Sequence, residues 1–562
     1  MISVGRAAGS TLRTRMSRNA VPFVLTFLAT AAALIAQNDA DAQGSVRRTW
    51  TVEGVEREAL VFAPRSSDRE RAKPPLVFVF HGHGGSMRSA ARSFALHRGM
   101  PEAVVVYPQG LKTPSARDPE GQRAGWQSQE GEQGDRDLEF VDAMLASLRA
   151  EFDVDERHIH ATGHSNGGGF TYLVWATHSE TIASIAPSSS GAARKLAGRD
   201  PIARPILHLA GRNDQVVSFD NQQRTIEALI RNVQASLGEP WAEVGGATLH
   251  RAKNGAHVAT WFHDGGHELP DEGWRAVAAF LRRTPMPEAW TTEPTIAPGL
   301  VQRTYASRAA RTFVSYHVLV PAGYDHAENA QRRYPVVMWL HGSGGGEAGI
   351  AQVVREFESA IARGAIPPVL VVFPNGKPQG MWCDNVDGSS PVETVTLDEV
   401  LPQVESVFRT RTSREGRVVM GFSMGGYGAL RFAMARPQTF VAACSLGGGP
   451  LQQQLVEAPR VNETRRIRVL EDTYGGSQEE FEKRSPWRLA EQNASALQNT
   501  RLLLVCGTED ETLPANRAMH DRLTALGIAH SYVELQGVAH EPVRSIRALG
   551  PQLWAFVEGA LR

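Results

Sequence analysis

Cysteine is scarce in this chain of 562 residues: only Cys383, Cys444 and Cys506 occur, all in the second half. The first half therefore has no disulfide of its own, and three thiols cannot all pair within one chain. Cys444 and Cys506 stand in apolar runs that read as central strands, so both are expected as buried free thiols. Cys383, beside Trp382, is expected to be exposed. No C-x-x-C and no clustered His/Cys spacing argues for a structural metal, and no cofactor is expected. Charge of one sign is missing too. Lysine and arginine number 59 against 60 acidic residues, a formal net charge of −1, so nucleic acid is not an expected partner. Beyond residues 20–36 there is no second stop-transfer-like run. That uncharged run follows Arg6, Arg13, Arg15 and Arg18 and precedes Ala40-Asp41-Ala42, the three-part layout of a secretory signal peptide. Residues 1–42 are expected as a signal peptide. The mature protein is then secreted or periplasmic, with no stable membrane association after cleavage.

What is present is too long for one core. Pro74-Pro75 introduces the unbroken apolar run Leu76-Val77-Phe78-Val79-Phe80, which suits a strand buried on both faces of a parallel sheet. His81-Gly82-His83-Gly84-Gly85 follows, and then a strand over residues 104–107, a helix over 138–152 and short strands over 182–186 and 206–210. Residues 273–283 read as a closing helix. This alternation specifies an α/β fold with a mostly parallel, doubly wound sheet flanked by helices. Residues 284–299 carry Pro285, Pro287, Pro294 and Pro298 and read as a linker stiffened by proline. The grammar then restarts. Residues 336–340 run into His341-Gly342-Ser343-Gly344-Gly345, and Pro374-Asn375-Gly376 echoes Pro108-Gln109-Gly110. Helices are expected over 397–408 and 543–561. Two tandem α/β domains result, spanning residues 46–283 and 304–562.

The chemistry gathers around Gly163-His164-Ser165-Asn166-Gly167 and its counterpart Gly421-Phe422-Ser423-Met424-Gly425. Each follows a β-prone run and opens a helix, the strand–turn–helix context of a nucleophile elbow. A serine needs a base to remove its proton, and the base needs a third group to hold its tautomer. In the order Ser, acid, His, the first domain offers Ser165, Asp214 after the strand at 206–210, and His267 ahead of the closing helix. Asp220 competes for the acid, and His257 and His263 for the base. The second domain offers Ser423, Asp510 within the acidic run Glu509-Asp510-Glu511, and His540. Asp510 holds the same offset from Gly507 as Asp214 from Gly211. His520 and His530 fall on or beside the helix after the acid and read as surface residues. A tetrahedral intermediate needs backbone N–H donors. Asn166 and Met424 follow the nucleophiles, and His83 and Ser343 come from the glycine-rich turns. Trp126, Trp339 and Trp382 are candidates to line an acyl or sugar site, with core packing as the plain alternative.

On these motifs the first domain resembles the polyhydroxybutyrate depolymerase and feruloyl esterase group, through residues 80–85, Tyr107-Pro108-Gln109-Gly110, Gly125-Trp126-Gln127, the Ser165 elbow, Gly211-Arg212-Asn213-Asp214 and Gly266-His267. It departs from that group at His164, where an apolar residue is more usual, and in having no cysteine. The second domain is similar to the esterase D-like family of feruloyl esterases, S-formylglutathione hydrolase and mycolyl transferases. Leu340-His341-Gly342, the Ser423 elbow extended by Gly426, and Asn516-Arg517 with His520-Asp521 carry that likeness, and residues 451–499 read as a cap. The resemblance implies two α/β-hydrolase domains and a secreted serine ester hydrolase on feruloyl or acetyl esters of polysaccharide, its ester substrates including polymeric ones. Polyhydroxyalkanoate depolymerase, serine peptidase, and one domain serving as a non-catalytic binding module are the alternatives.

Overall fold

The computed structural model describes residues 44–65, 73–196, 198–347, 349–460 and 462–562; the expected signal peptide lies outside them. Two large sheets divide the chain. The first has ten strands, β1 (Ser45–Val52), β2 (Val55–Phe62), β3 (Leu76–Phe80), β4 (Val104–Pro108), β5 (Ile159–His164), β6 (Ser184–Ser188), β7 (Ile206–Gly211), β8 (Glu239–Trp241), β9 (Ala247–His250) and β10 (Val258–His263). Their spatial order is β1-β2-β4-β3-β5-β6-β7-β10-β9-β8. The centre, from β4 to β10, is parallel, and antiparallel strands finish both edges. The second sheet has eight strands, β11 (Leu300–Ser307), β12 (Thr312–Leu319), β13 (Val336–Leu340), β14 (Leu370–Pro374), β15 (Arg417–Phe422), β16 (Ala442–Leu446), β17 (Arg501–Gly507) and β18 (Ser531–Leu535). Their order, β11-β12-β14-β13-β15-β16-β17-β18, repeats the first pattern without its last two strands.

Alternation along each central strand feeds two cores. Leu76, Phe78 and Phe80 pack with helices Arg136–Phe152 and Asn166–Thr177, while Val77 and Val79 face helices Met87–Phe94 and Asp271–Arg282. In the second sheet Val336, Met338 and Leu340 meet helix Met424–Ala435, and Val337 and Trp339 meet Ile350–Ala362 and Pro551–Leu561. Burial on both faces is why these strands read as continuous apolar runs.

Three expectations change. The helix expected over 543–561 is two, Pro542–Leu549 and Pro551–Leu561, because Gly550 takes φ 54° and Pro551 cannot continue the preceding ladder. Cys383 is fully buried rather than exposed, against Arg484 and beneath the second domain's cap, so all three cysteines are buried and free. Burial pushes the Cys506 thiol up to about 12. Strands β8 and β9 have no counterpart in the sequence reading, being short and, in β8, interrupted by Pro240. Between the sheets, the Met286 N–H donates to the Arg157 carbonyl (2.7 Å), and buried Trp290 donates its N–H to the Phe313 carbonyl (2.7 Å). The proline-bearing segment thus bonds to both domains. Among the described residues no helix is long and apolar enough to cross a membrane.

Candidate active site

Both candidate sites lie at the carboxyl ends of the parallel strands, where an open α/β sheet leaves a crevice. Ser165 follows β5 at φ 58°, ψ −119°, and Ser423 follows β15 at φ 57°, ψ −121°. A serine rarely adopts such a backbone, and the surroundings enforce it. A Cβ on Gly163 would stand 2.5 Å from the Gly167 carbonyl oxygen, and one on Gly425 would stand 1.9 Å from that of Leu340. Glycine alone permits the strand, elbow and helix to come this close. Register pairs Phe80 with Gly163 and Leu340 with Gly421, which lays each histidine–glycine turn against its elbow.

In the first domain the three expected side chains meet. Ser165 Oγ lies 2.8 Å from His267 Nε2, and His267 Nδ1 lies 2.8 Å from Asp214 Oδ2. The other Asp214 oxygen accepts the N–H groups of Val216 (2.8 Å) and Val217 (2.9 Å). Burial alone would raise this carboxyl. The hydrogen bonds from His267 and from the Val217 and Val216 backbone outweigh it and hold the group below the usual carboxylate range. Asp220 lies on helix Phe219–Asn232 and His257 donates no side-chain bond to the triad; His263 ends β10.

The second domain brings its acid and base together: His540 Nδ1 lies 2.7 Å from Asp510 Oδ2. Asp510 also accepts the Thr512 N–H and hydroxyl, both at 2.8 Å. Burial again opposes these bonds, and again the bonds from His540 and Thr512 win, holding the carboxyl low. His540 Nε2 is buried and has no hydrogen-bond partner among the described residues, although Ser423 and His540 line one cavity. His520 and His530 bond to each other (2.7 Å) away from the triad.

The turns beside the elbows are braced alike. Gly110 N–H donates to His81 Nε2, and Gly376 N–H to His341 Nε2, each at 2.9 Å. That leaves each Nδ1 to donate to the following glycine carbonyl, Gly82 at 2.8 Å and Gly342 at 2.7 Å. Burial pushes both imidazoles down to about 4, so they are neutral props. Trp126 and Trp382 are not lining residues. Both are buried in the core, and their indole N–H groups donate to the carbonyls of His81 (2.9 Å) and His341 (3.2 Å). Trp339 is likewise packed in the core against Phe357. Among the described residues the backbone N–H groups of His83, Asn166, Ser343 and Met424 meet no internal acceptor. A Cβ added at Gly82 would be 3.4 Å from Ser165 Cβ, and one at Gly342 would be 3.2 Å from Ser423 Cβ, so each turn lies against its serine.

The walls diverge. His164 packs against His267 with ring centroids 4.8 Å apart, where the second domain has Phe422 against His540 at 4.5 Å. Burial, with the neighbouring His267 adding to it, pushes His164 down to about 4, so its neutral ring packs as the phenyl does. Asn166 clamps the Trp126 backbone, its side-chain Oδ1 accepting the main-chain N–H (2.8 Å) and its amide donating to the carbonyl (3.1 Å). Met424 instead takes the Ser343 hydroxyl on sulfur (3.7 Å). Sequence reasoning missed Gln222, whose amide donates to Asp214 Oδ2 (3.2 Å) while its Oε1 accepts from His208 (3.1 Å). It also missed the cap arginines. The segment after β16 forms helices Glu463–Tyr474, Gln478–Arg484 and Pro486–Gln492, and part of it walls a cavity of about 480 Å³ over Ser423. The run Thr464-Arg465-Arg466 in that segment was the available signal. Among the described residues no group of three metal-ligating side chains occurs.

Residues 66–254 match the "Dienelactone hydrolase family" model and residues 307–540 the "Putative esterase" model. Esterase Rv1288 of Mycobacterium tuberculosis (strain ATCC 25618 / H37Rv) is 29% identical over 242 residues, 39% of this chain and 51% of its own length. This chain thus spans about half of that relative. Probable feruloyl esterase C of Aspergillus clavatus is 27% identical over 239 residues, 39% of this chain and 82% of its own. A solved structure titled ferulic acid esterase aligns at a TM-score of 0.41 and 20% identity, covering 47% of this chain and 98% of its own. The chain carries two α/β-hydrolase-like domains in tandem, the first matching the dienelactone hydrolase model and the second the esterase model.

Proposed function

We propose that this chain is a serine carboxylic ester hydrolase with two Ser–His–Asp sites, exported through residues 1–42 and acting on feruloyl or acetyl esters of polysaccharide. The observation that carries the reading is the Ser165–His267–Asp214 chain of hydrogen bonds, 2.8 Å at each step, behind a serine in strained backbone. Ser165 Oγ attacks the ester carbonyl while its proton passes to His267 Nε2. Asp214, held ionised, keeps the Nδ1 proton in place and stabilises the imidazolium. The carbonyl oxygen becomes an oxyanion received by the N–H groups of Asn166 and His83. Collapse breaks the C–O bond, and the alcohol leaves with the proton from His267. Water then attacks the acyl-enzyme by the same route, and the acid and free serine are restored.

Ser423, His540 and Asp510 perform the same steps, with Met424 and Ser343 as oxyanion donors. His540 Nε2, which has no hydrogen-bond partner among the described residues, is left to accept the Ser423 proton. The relatives named esterase and feruloyl esterase support the ester class. Fluorophosphonate labelling of the wild type, Ser165→Ala, Ser423→Ala and the double variant tests the two sites. Two labels per wild-type chain and one per single variant are expected; no label on the wild type sinks the proposal. Methyl hydroxycinnamates and acetyl esters assayed on the single variants test the substrate. Release of 3-hydroxybutyrate from polymer without hydroxycinnamate turnover would replace it. Export is checked by the amino terminus of the secreted protein, expected at Gln43.

A further inference from the structure

The cavity over Ser423 has a mixed wall. Met381, Phe422, Leu455 and Val469 give it an apolar body, and Arg460, Arg465 and Arg466 stand in the cap portion. Among the described residues no aspartate or glutamate lines it. Arg460 pairs with Glu511 (2.6 Å), and Arg466 Nη1 donates to the Ala458 carbonyl (2.7 Å). Arg465 is half-buried, and its guanidinium meets no acceptor among the described residues. The opposite sign is placed differently in the first domain, where Asp118 pairs with His83 beside the turn (3.1 Å).

A guanidinium that meets no protein acceptor is open to a ligand, and its planar fork matches a carboxylate. Clustered like charge in a low-dielectric cleft also concentrates anions there. We propose that the Ser423 site takes esters carrying a carboxylate, which Arg465 receives with Arg460 and Arg466 beside it. This rests on the esterase reading of Ser423 and adds a charge requirement that the Ser165 site does not share.

The test uses the full chain with Ser165→Ala, so that only Ser423 turns over. Two matched pairs separate the source of the charge. 4-Nitrophenyl hydrogen adipate against 4-nitrophenyl hexanoate places it on the acyl part; 4-(butanoyloxy)benzoate against its methyl ester places it on the alcohol part. In at least one pair the anionic member is expected to have the higher kcat/KM by about tenfold. Arg465→Gln should abolish that preference, Arg465→Lys should keep part of it, and added salt should raise KM for the anion alone. Absence of any preference, or the same preference in Arg465→Gln, overturns the proposal. If no ester is turned over, the esterase reading of Ser423 is what fails. Calorimetric titration of methyl hydrogen adipate into Ser165→Ala/Ser423→Ala then decides the anion site. Saturable binding lost with Arg465→Gln supports it, and no binding refutes it.

Discussion

In the first domain the serine hydroxyl already bonds its histidine at 2.8 Å, while in the second the histidine's Nε2 is buried without a partner among the described residues. The frames are otherwise alike: the same strand order, the same elbow dihedrals, the same neutral histidine under the turn, the same acid–base contact. What differs is the lining. The second domain inserts helices between β16 and β17 and puts arginines over its serine. The first has no such insertion between β6 and β7, and it fixes its acid through a longer relay of Gln222, His208 and Tyr172. Backbone geometry thus repeats where chemistry demands it, and the walls are free to diverge.

The comparison breaks most visibly at the nucleophiles. Ser165→Ala combined with Ser423→Ala should lower ester turnover by at least about 10³-fold relative to whichever single variant is more active. Residual turnover equal to that of a single variant would mean that the remaining serine was idle. Next come the supports of the acids. Gln222→Leu should lower kcat at the first site about tenfold with KM little changed, through loss of acid and base orientation. Thr512→Val should do so only at the second. An effect of either variant on the other domain's substrate would argue against independent sites.

Stability sharpens the comparison further. Gly425→Ala and Gly167→Ala would bring a Cβ within 1.9 Å and 2.3 Å of a backbone carbonyl oxygen, and each should cost about 3 kcal/mol by overpacking. The larger fall in melting temperature is expected for Gly425→Ala. The pH response should be shared by the two domains. His81 and His341 are pushed down to about 4 by burial, from an ordinary value of 6.5. The unfolded chain therefore binds more protons between these values. Their contribution is present above pH 6.5 and is lost as pH falls towards 4. His341→Asn should flatten the fall in melting temperature over that window for the second domain alone. Smallest of all, His164→Phe should leave first-domain kcat within about threefold, since a neutral buried imidazole packs there as Phe422 does in the second domain.

Much of this was legible from residue order. The apolar runs marked β3, β4 and β13 because strands buried on both faces carry few polar positions, whereas β5 and β7 hold the buried polar residues His160, Thr162 and His208. Ser165, Asp214 and His267 could be ordered because each follows a strand end marked by glycine. Gly550-Pro551 is the local mark of the break between the last two helices. Other features had no linear signature. Nothing along the chain says that Trp126 and Trp382 point inward to hold the carbonyls of His81 and His341. Nor does sequence distance show that Cys383 is covered by helix Gln478–Arg484, or that Gln222 reaches Asp214.

By itself the sequence determined the doubled α/β grammar, the glycines that permit two serine elbows, and the residue types available for acid, base and oxyanion donors. These are local properties, set by apolar periodicity and by the steric demands of a few consecutive residues. Only the tertiary structure decided which acid and histidine pair in each domain, which tryptophans are struts rather than walls, and where the cap arginines stand. Those outcomes depend on strand register and on the packing of segments far apart in the chain, whose directions residue order does not encode.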